Sequence, residues 1–152
     1  MKFFGKDKHK HKQTQQTILF VCVENAARSQ MAEGFFNTYA PDRYIGISAG
    51  TKPVPQINPL AVEVMKEIGI DISTQRSKEI TEDMMRDSFK IINMGCMDRE
   101  FCPTLFLPKV LDWNLEDPNN KPIERVKEIR DEIGVRVKEL VTSLKSSQSI
   151  NV

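Results

Sequence analysis

The sequence predicts a single α/β domain in which a four-stranded parallel sheet is flanked by helices. Short apolar segments alternate with segments of helical periodicity, a pattern typical of βαβ units. The length of 152 residues fits one domain with a sizeable core. The first apolar segment, residues 17–22, is continuous and not alternating, which favours a strand buried on both faces.

The other elements follow from local patterns. Strands are expected at residues 17–22, 44–50, 89–94 and 109–113. Helices are expected at residues 29–40, 59–68, 81–87 and 122–146. Asn58 and Pro59 are typical of a helix cap followed by the first helical position. In the last helix, apolar residues recur at steps of three or four while charged residues fill the other face.

The two ends of the chain lack such patterns. Residues 1–16 are polar and contain five lysines but only one acidic residue, and we interpret them as a disordered basic arm. His9 and His11 in this arm are interpreted as solvated and not as a metal site. Residues 17–146 form the predicted domain, and the polar residues 147–152 are expected to fray.

Composition excludes several classes of protein. The net charge is +1, and outside the basic arm the chain is slightly acidic, so we expect no nucleic-acid partner. No segment is long or apolar enough for a membrane span or a signal peptide, so the expected location is cytoplasmic. In a reducing compartment, the three cysteines indicate chemistry or packing and not a disulfide framework. We predict neither a cofactor nor a bound metal.

The segment between the first strand and the first helix has the features of an anion site. In open parallel α/β sheets, ligands bind at the carboxyl ends of strands, where this segment lies. Its backbone N–H groups and the positive end of the following helix attract anions. Asn25 tolerates the left-handed backbone of a tight loop, and the Arg28 guanidinium matches two oxygens of a tetrahedral anion. The predicted oxyanion-binding residues are Val23, Glu24, Asn25, Ala26, Ala27 and Arg28.

The same positive environment makes Cys22 a candidate nucleophile. Nearby cations and helix N-termini favour the thiolate form of a cysteine, and Ser29 offers a hydrogen bond to the sulfur. The alternative is that Cys22 packs as a small hydrophobic residue while Arg28 lies on a surface turn. The order of buried strand, loop, Arg-Ser and helix favours the catalytic interpretation.

At these residues the sequence resembles a known family. Residues 20–33, FVCVENAARSQMAE, are similar to the signature of the low-molecular-weight tyrosine phosphatase fold. The resemblance runs from about Thr17 to Leu144 and includes the segment Ser48-Ala49-Gly50. It implies either of two activities: phosphatase or thioredoxin-coupled arsenate reductase.

The resemblance also implies a general acid. Oxyanion chemistry at a thiolate needs a proton for the leaving oxygen. Asp117-Pro118 follows the fourth strand and matches the family's acidic position, which makes Asp117 the predicted acid. The alternatives are that Asp117 merely forms a turn with Pro118 and Asn119, or that Glu116 or Asp112 supplies the proton.

Two further cysteines distinguish the two activities. Cys96 and Cys102 follow the third strand, at the same end of the sheet as Cys22. The resemblance implies that such a pair, with Pro103 after the second cysteine, is the redox relay of the reductase branch. Phosphotyrosine-acting members carry tyrosines after the Asp-Pro pair, whereas Asn119 and Asn120 stand here. The alternatives for the pair are two unrelated thiols or a metal pair.

These features predict reduction of arsenate to arsenite. Cys22 attacks arsenic, Asp117 assists the departure of hydroxide, a second thiolate expels arsenite, and a third cysteine resolves the disulfide for thioredoxin. The main alternative is a tyrosine phosphatase that works through a phosphocysteine intermediate. A third possibility is an oxyanion-binding or redox-sensing module without turnover.

Two positions depart from the family pattern. Glu24 replaces a small residue, and its carboxylate should oppose anion binding unless it points to solvent. Some members of the reductase branch bind potassium near the loop through an Asn, a Glu, a Ser and an Asp. Asn25, Glu33 and Ser48 match the first three positions, but Lys78 stands at the fourth, so no bound potassium is expected.

Overall fold

The computed structural model describes residues 14–95 and 103–150, without the side chains of residues 148–150. It contains four strands: β1 (Gln16–Cys22), β2 (Tyr44–Gly50), β3 (Ser88–Asn93) and β4 (Val110–Asp112). The helices are α1 (Arg28–Tyr39), α2 (Pro59–Glu67), α3 (Glu82–Asp87) and α4 (Ile123–Ile150), and a 3-10 helix spans Thr104–Lys109. The predicted fold class is confirmed.

The sheet is parallel throughout, in the order β2-β1-β3-β4. β1 is a central strand, and its side chains alternate between two cores. Ile18, Phe20 and Cys22 pack on one face, whereas Leu19 and Val21 pack on the other. Burial on both faces is the reason why this strand has a continuous apolar sequence.

Helices cover both faces of the sheet. Helices α1, α2 and α4 pack on the face that carries Phe20, and α3 and the 3-10 helix cover the other face with Met85 and Phe106. The buried apolar residues of α4 are Val126, Ile129, Ile133, Val137, Leu140, Val141 and Leu144. No helix within residues 14–95 and 103–150 is long and apolar enough to cross a membrane.

Most element boundaries differ from the sequence-based expectation by one residue or more, and three of these differences have a clear physical reason. β1 begins at Gln16, which pairs with Tyr44 and donates its N–H to Arg43 O, because sheet pairing recruits a residue that looks polar and unpatterned. β4 is only three residues long, since the segment before it forms the proline-containing 3-10 helix. Helix α4 continues to Ile150, because its backbone hydrogen bonds extend past Leu144, the last buried side chain among residues 123–147.

Candidate active site

The loop between β1 and α1 borders a cavity of about 180 Å³. The cavity brings together Cys22, Arg28 and Asp117, three of the residues predicted from the sequence. The complete lining is Cys22, Val23, Glu24, Ala26, Ala27, Arg28, Asn58, Asp117 and Asn119. All but one of the predicted oxyanion-binding residues are in this set. The exception, Asn25, is a buried loop residue that does not line the cavity.

The backbone carbonyls of the loop are all occupied by hydrogen bonds to other parts of the chain. A neighbouring segment, residues 51–58, donates N–H groups to the carbonyls of Cys22, Val23, Glu24 and Ala26. The carbonyl of Asn25 accepts from the Gln30 side chain, and that of Ala27 accepts from Met31 N–H. With its carbonyls engaged there, the loop can direct N–H groups at a bound anion.

Gly50, at the end of β2, permits this close approach. A Cβ atom at Gly50 would lie 2.5 Å from Val23 O and 2.9 Å from Asn25 N. Such contacts are far below van der Waals distance, so any side chain at Gly50 would push the loop out of place. The Ser48-Ala49-Gly50 segment that carries the family resemblance therefore has a steric role beside the loop.

Asn25 organises the loop from within. Its φ of 51° is in the left-handed region, as the sequence predicts. Its backbone N–H donates to Cys22 Sγ at 3.2 Å, and its side-chain Nδ2 donates to Ser29 Oγ at 2.8 Å. Asn25 Oδ1 accepts from Lys78 N–H at 2.8 Å, which ties the loop to the segment after α2.

Cys22 receives hydrogen bonds that suit a thiolate. Its Sγ lies 2.8 Å from Ser29 Oγ, in addition to the Asn25 N–H contact. Because Ser29 Oγ already accepts a hydrogen bond from Asn25, the Ser29 hydroxyl hydrogen is available to the sulfur. Both the Ser29 hydroxyl and the Asn25 N–H can therefore donate to the sulfur.

Arg28 connects three parts of the site. Its Nη1 donates to Leu115 O at 3.0 Å and to Met94 O at 3.3 Å, and its Nη2 lies 3.8 Å from Asp117 Oδ2. The residue is only 9% exposed. The alternative in which Arg28 lies on a surface turn is therefore wrong.

Asp117 forms the predicted turn and also lines the cavity. Its Oδ1 accepts Asn119 N–H at 3.0 Å, which is the predicted turn, while Oδ2 faces Arg28 beside the cavity. The competing carboxylates lie outside the cavity lining. Hydrogen bonds from Arg125 and Lys121 lower the pKa of Glu116, and Asp112 accepts from Asn93 Nδ2 at 2.9 Å. Asp117 is thus better placed than either to protonate a leaving oxygen.

The family model of the low-molecular-weight phosphotyrosine protein phosphatases matches residues 17–149. The chain belongs to this family. The match covers the whole predicted domain, and it confirms the resemblance that residues 20–33 indicate.

Relatives in the family carry both activities in their names. An arsenate reductase of Staphylococcus aureus (strain Newman) is 37% identical over 126 residues, 82% of this chain and 95% of that protein. A thioredoxin-dependent arsenate reductase of Corynebacterium glutamicum superposes with a TM-score of 0.77 at 37% identity, covering 92% of this chain and 67% of that one. The YwlE arginine phosphatase of Geobacillus stearothermophilus gives a TM-score of 0.82 at 25% identity, covering 90% and 97%.

Glu24 departs from the usual family loop, and the structure gives its position. The residue is exposed, yet it contributes to the cavity lining. Its backbone carbonyl accepts from Val54 N–H and from Ser77 Oγ at 3.1 Å, so the backbone is fixed while the carboxylate reaches water. Glu24 therefore brings a carboxylate to the rim of the cavity, where solvent screens its charge.

Replacing Glu24 by glutamine should tighten oxyanion binding. Removing an exposed, screened like charge is expected to lower the dissociation constant for inorganic phosphate by about twofold to fivefold. Calorimetric titration at low and high salt measures the effect, which should shrink as salt increases. Glu63→Gln removes an exposed carboxylate outside the cavity lining and serves as the matched control. Equal affinities of Glu24→Gln and wild type at low salt would contradict the expectation.

Two glutamines that the sequence analysis did not single out support the loop. Gln30 is fully buried, and its Nε2 lies 3.0 Å from both Asn25 O and Asn25 Oδ1 and 2.9 Å from Arg76 O. Gln75 Nε2 in turn donates to Gln30 Oε1 at 2.8 Å. The available sequence signal was a glutamine, Gln30, directly after the Arg-Ser pair at the start of the predicted helix. Its hydrogen-bond partners lie about 45 residues further along the chain and could not be identified from the sequence.

Replacing Gln30 by leucine should destabilise the fold. The substitution keeps the volume but removes the donor to the backbone carbonyl of buried Asn25, which is left unsatisfied at a cost of about 1–3 kcal/mol. Urea unfolding of wild type and variant measures the free energy of unfolding. Gln56→Leu, the same change at an exposed position, should stay within about 0.5 kcal/mol of wild type. Similar losses in the two variants would show that the buried network is not responsible.

Residues matching the family's potassium positions form a different arrangement. Ser48 Oγ donates to Glu33 Oε1 at 2.6 Å, and Lys78 Nζ lies 3.8 Å from the same oxygen. Burial raises the pKa of Glu33, although the Ser48 hydrogen bond and the charge of Lys78 act to lower it. Burial lowers the pKa of Lys78, although the charge of Glu33 acts to raise it. Across residues 14–95 and 103–150, no group of three or more His, Cys, Asp or Glu side chains is arranged to hold a metal.

The remaining predicted site residues are Cys96 and Cys102. Both lie outside the described residues, so the relay predicted for them stays a prediction. The described chain ends at Gly95 on one side of them and resumes at Pro103 on the other. Met94, which follows β3, provides one of the two carbonyls that Arg28 holds, so the carboxyl end of β3 lies next to the Arg28 side chain.

Proposed function

We propose that this protein reduces arsenate to arsenite with Cys22 as the nucleophile. The observation that carries the proposal is the convergence of Cys22, Arg28 and Asp117 on one small cavity. The identity to a protein named arsenate reductase over most of both chains supports the choice of substrate. A thiolate mechanism also fits a reducing compartment such as the cytoplasm.

Binding would use the loop and Arg28 together. Arsenate is a tetrahedral oxyanion with the shape and charge of phosphate. The loop N–H groups and the start of α1 attract its oxygens. Arg28 offers the guanidinium N–H groups that its bonds to Leu115 O and Met94 O leave open. The sulfur of Cys22 then lies beneath the central atom, as an in-line attack requires.

The first chemical step would form a bond between Cys22 Sγ and arsenic. One oxygen leaves arsenic, and Asp117 donates the proton that turns it into hydroxide or water. Arsenic is still pentavalent in this thio-arsenate adduct. Asp117 ends as a carboxylate facing Arg28, an ion pair that stabilises the product of the proton transfer.

The second step would transfer two electrons. A thiolate from Cys96 or Cys102 attacks Cys22 Sγ, the sulfur–arsenic bond breaks, and its electron pair stays on arsenic as arsenite. The other cysteine of the pair then attacks, which frees Cys22 and leaves a disulfide between Cys96 and Cys102. A dithiol donor of the thioredoxin type reduces that disulfide and restores the enzyme.

The cavity favours a small inorganic anion. Its volume is about 180 Å³, and no aromatic side chain of the described residues lines it. Asn119 occupies the rim next to Asp117, where an amide offers hydrogen bonds but no ring surface. These features support arsenate over a phosphotyrosine side chain as substrate.

Turnover of arsenate with purified thioredoxin, thioredoxin reductase and NADPH tests the proposal. Wild type should oxidise NADPH in proportion to arsenate. Cys96→Ser and Cys102→Ser should each stop multiple turnover, because the relay loses one thiol. Full turnover in either variant would contradict the relay, and no turnover in wild type would contradict the activity.

A phosphatase is the second candidate, favoured by the structural similarity to an arginine phosphatase. Such an enzyme needs only Cys22, Arg28 and Asp117, with water releasing phosphate from the phosphocysteine. It predicts efficient hydrolysis of phosphotyrosine or phosphoarginine peptides that survives the loss of Cys96 and Cys102. Slow hydrolysis of a small aryl phosphate fits both candidates, since both share the loop.

A further inference from the structure

The loop that carries Asp117 is held on both sides of the acid. On one side, the carbonyl of Leu115 accepts from Arg28 Nη1 at 3.0 Å, and the Leu115 side chain is buried in the core. On the other side, Pro118 O accepts Lys121 N–H at 3.1 Å. Between them, Asp117 itself is 62% exposed, so its own packing does little to fix its position.

Glu116, directly before the acid, is bound by two cations. Its Oε1 accepts from Arg125 Nε at 2.9 Å and also from Arg125 Nη2, and its Oε2 lies 3.3 Å from Lys121 Nζ. Both oxygens of the carboxylate are therefore engaged. Because Glu116 is held in its ionised form, it cannot serve as the acid.

Arg125 lies in the first turn of α4, an unusual place for a cation. The helix dipole disfavours positive charge there. Two carboxylates offset this unfavourable interaction with the dipole. The Arg125 guanidinium pairs with Glu116, and its Nη1 donates to Glu128 Oε1, on the next turn, at 2.7 Å. The two-nitrogen contact fixes the orientation of Glu116 relative to a long helix that is anchored in the core.

We propose that Arg125 and Glu116 are positioning residues that hold Asp117 at the cavity for proton transfer to the leaving oxygen. The pair ties the acid loop to α4, while Arg28 ties it to the catalytic loop. Neither residue lines the cavity, so any effect on the reaction is indirect. The inference rests on the acid role proposed for Asp117.

The expected consequence concerns the leaving group. A well-placed acid neutralises the leaving oxygen, so the rate depends weakly on the acidity of the departing phenol. If the acid is displaced, kcat/KM falls most for substrates with poor leaving groups, whose phenols have a high pKa. Arg125→Met and Glu116→Gln should lower kcat/KM for phenyl phosphate by about threefold to tenfold, a small part of the roughly 10²–10⁴-fold that a general acid contributes. The activated p-nitrophenyl phosphate should be nearly unaffected.

The test measures kcat/KM for a series of aryl phosphates and for arsenate. For each variant, the logarithm of kcat/KM is plotted against the pKa of the departing phenol. Asp117→Asn gives the slope of this plot without an acid. Glu128→Gln removes only the other partner of Arg125, and Arg125→Lys restores one hydrogen bond. The slope against phenol pKa should steepen in the order wild type, Arg125→Lys, Arg125→Met, Asp117→Asn, with Glu128→Gln equal to wild type. An equal loss on all substrates, or an unchanged slope, would overturn the proposal.

Failure of the proposed function gives a different result. Aryl phosphate hydrolysis without arsenate turnover would refute arsenate reduction, while the slopes would still decide the role of Arg125. Absence of turnover with every substrate would overturn both, since Asp117 would have no leaving group to protonate.

Discussion

Cys22→Ser is expected to abolish turnover of arsenate and of aryl phosphates, by roughly 10⁴-fold or more. A serine hydroxyl is a far weaker nucleophile than a thiolate, and the described residues that line the cavity include no histidine to activate it. Serine is close in volume to cysteine, so the fold should survive. Steady-state rates with arsenate and p-nitrophenyl phosphate measure the loss.

Binding separates this effect from unfolding. The loop N–H groups and Arg28 remain in Cys22→Ser, so inorganic phosphate should still bind, with an affinity within a few-fold of wild type. Loss of activity together with loss of binding would indicate a damaged loop and not a missing nucleophile. Retention of more than a few per cent of activity would show that Cys22 does not form the covalent intermediate.

Arg28→Lys is expected to lower kcat/KM by roughly 10²–10³-fold although it keeps the charge. One ammonium group cannot hold Leu115 O and Met94 O and also present two donors to an oxyanion. The buried carbonyls lose a partner, so the free energy of unfolding should also fall, by about 1–3 kcal/mol. Kinetics and urea unfolding measure the two effects.

Arg130→Lys is the matched control for this prediction. Arg130 is also buried, and its Nη1 donates to a backbone carbonyl, Val64 O, at 2.9 Å. It joins α4 to α2 and does not line the cavity. Arg130→Lys should therefore lose stability without losing kcat/KM. A comparable loss of activity in both variants would contradict a specific role for Arg28 in oxyanion binding.

The core of the site was predictable because its signals are local. A continuous apolar strand, a cysteine at its end and an Arg-Ser pair before a helix lie within about a dozen residues. The position of Asp117 was likewise predictable, since Asp-Pro after a parallel strand lies at the same edge of the sheet. Because parallel strands all end at the same edge of the sheet, the topology alone places Cys22, Arg28 and Asp117 near one another.

The supporting contacts were not predictable because they join distant segments. Residues 51–58 donate hydrogen bonds to carbonyls of the loop between β1 and α1. Asn25 Oδ1 accepts hydrogen bonds from Lys78 N–H and from the Gln30 side chain. Arg28 holds a carbonyl 87 positions away. These partners are backbone groups or amides, which carry no motif of their own. The same reasoning explains the unforeseen ends of β1 and α4, where backbone pairing and not side-chain pattern decides the boundary.

Thiol counting after a single equivalent of arsenate, without any thioredoxin, tests the central claim most directly. Reduced protein is mixed with arsenate, the remaining free thiols are alkylated, and the disulfide is located by peptide mapping. Arsenate reduction through Cys22 predicts one equivalent of arsenite and the loss of two thiols, located in a disulfide between Cys96 and Cys102. Three free thiols and unchanged arsenate would contradict it.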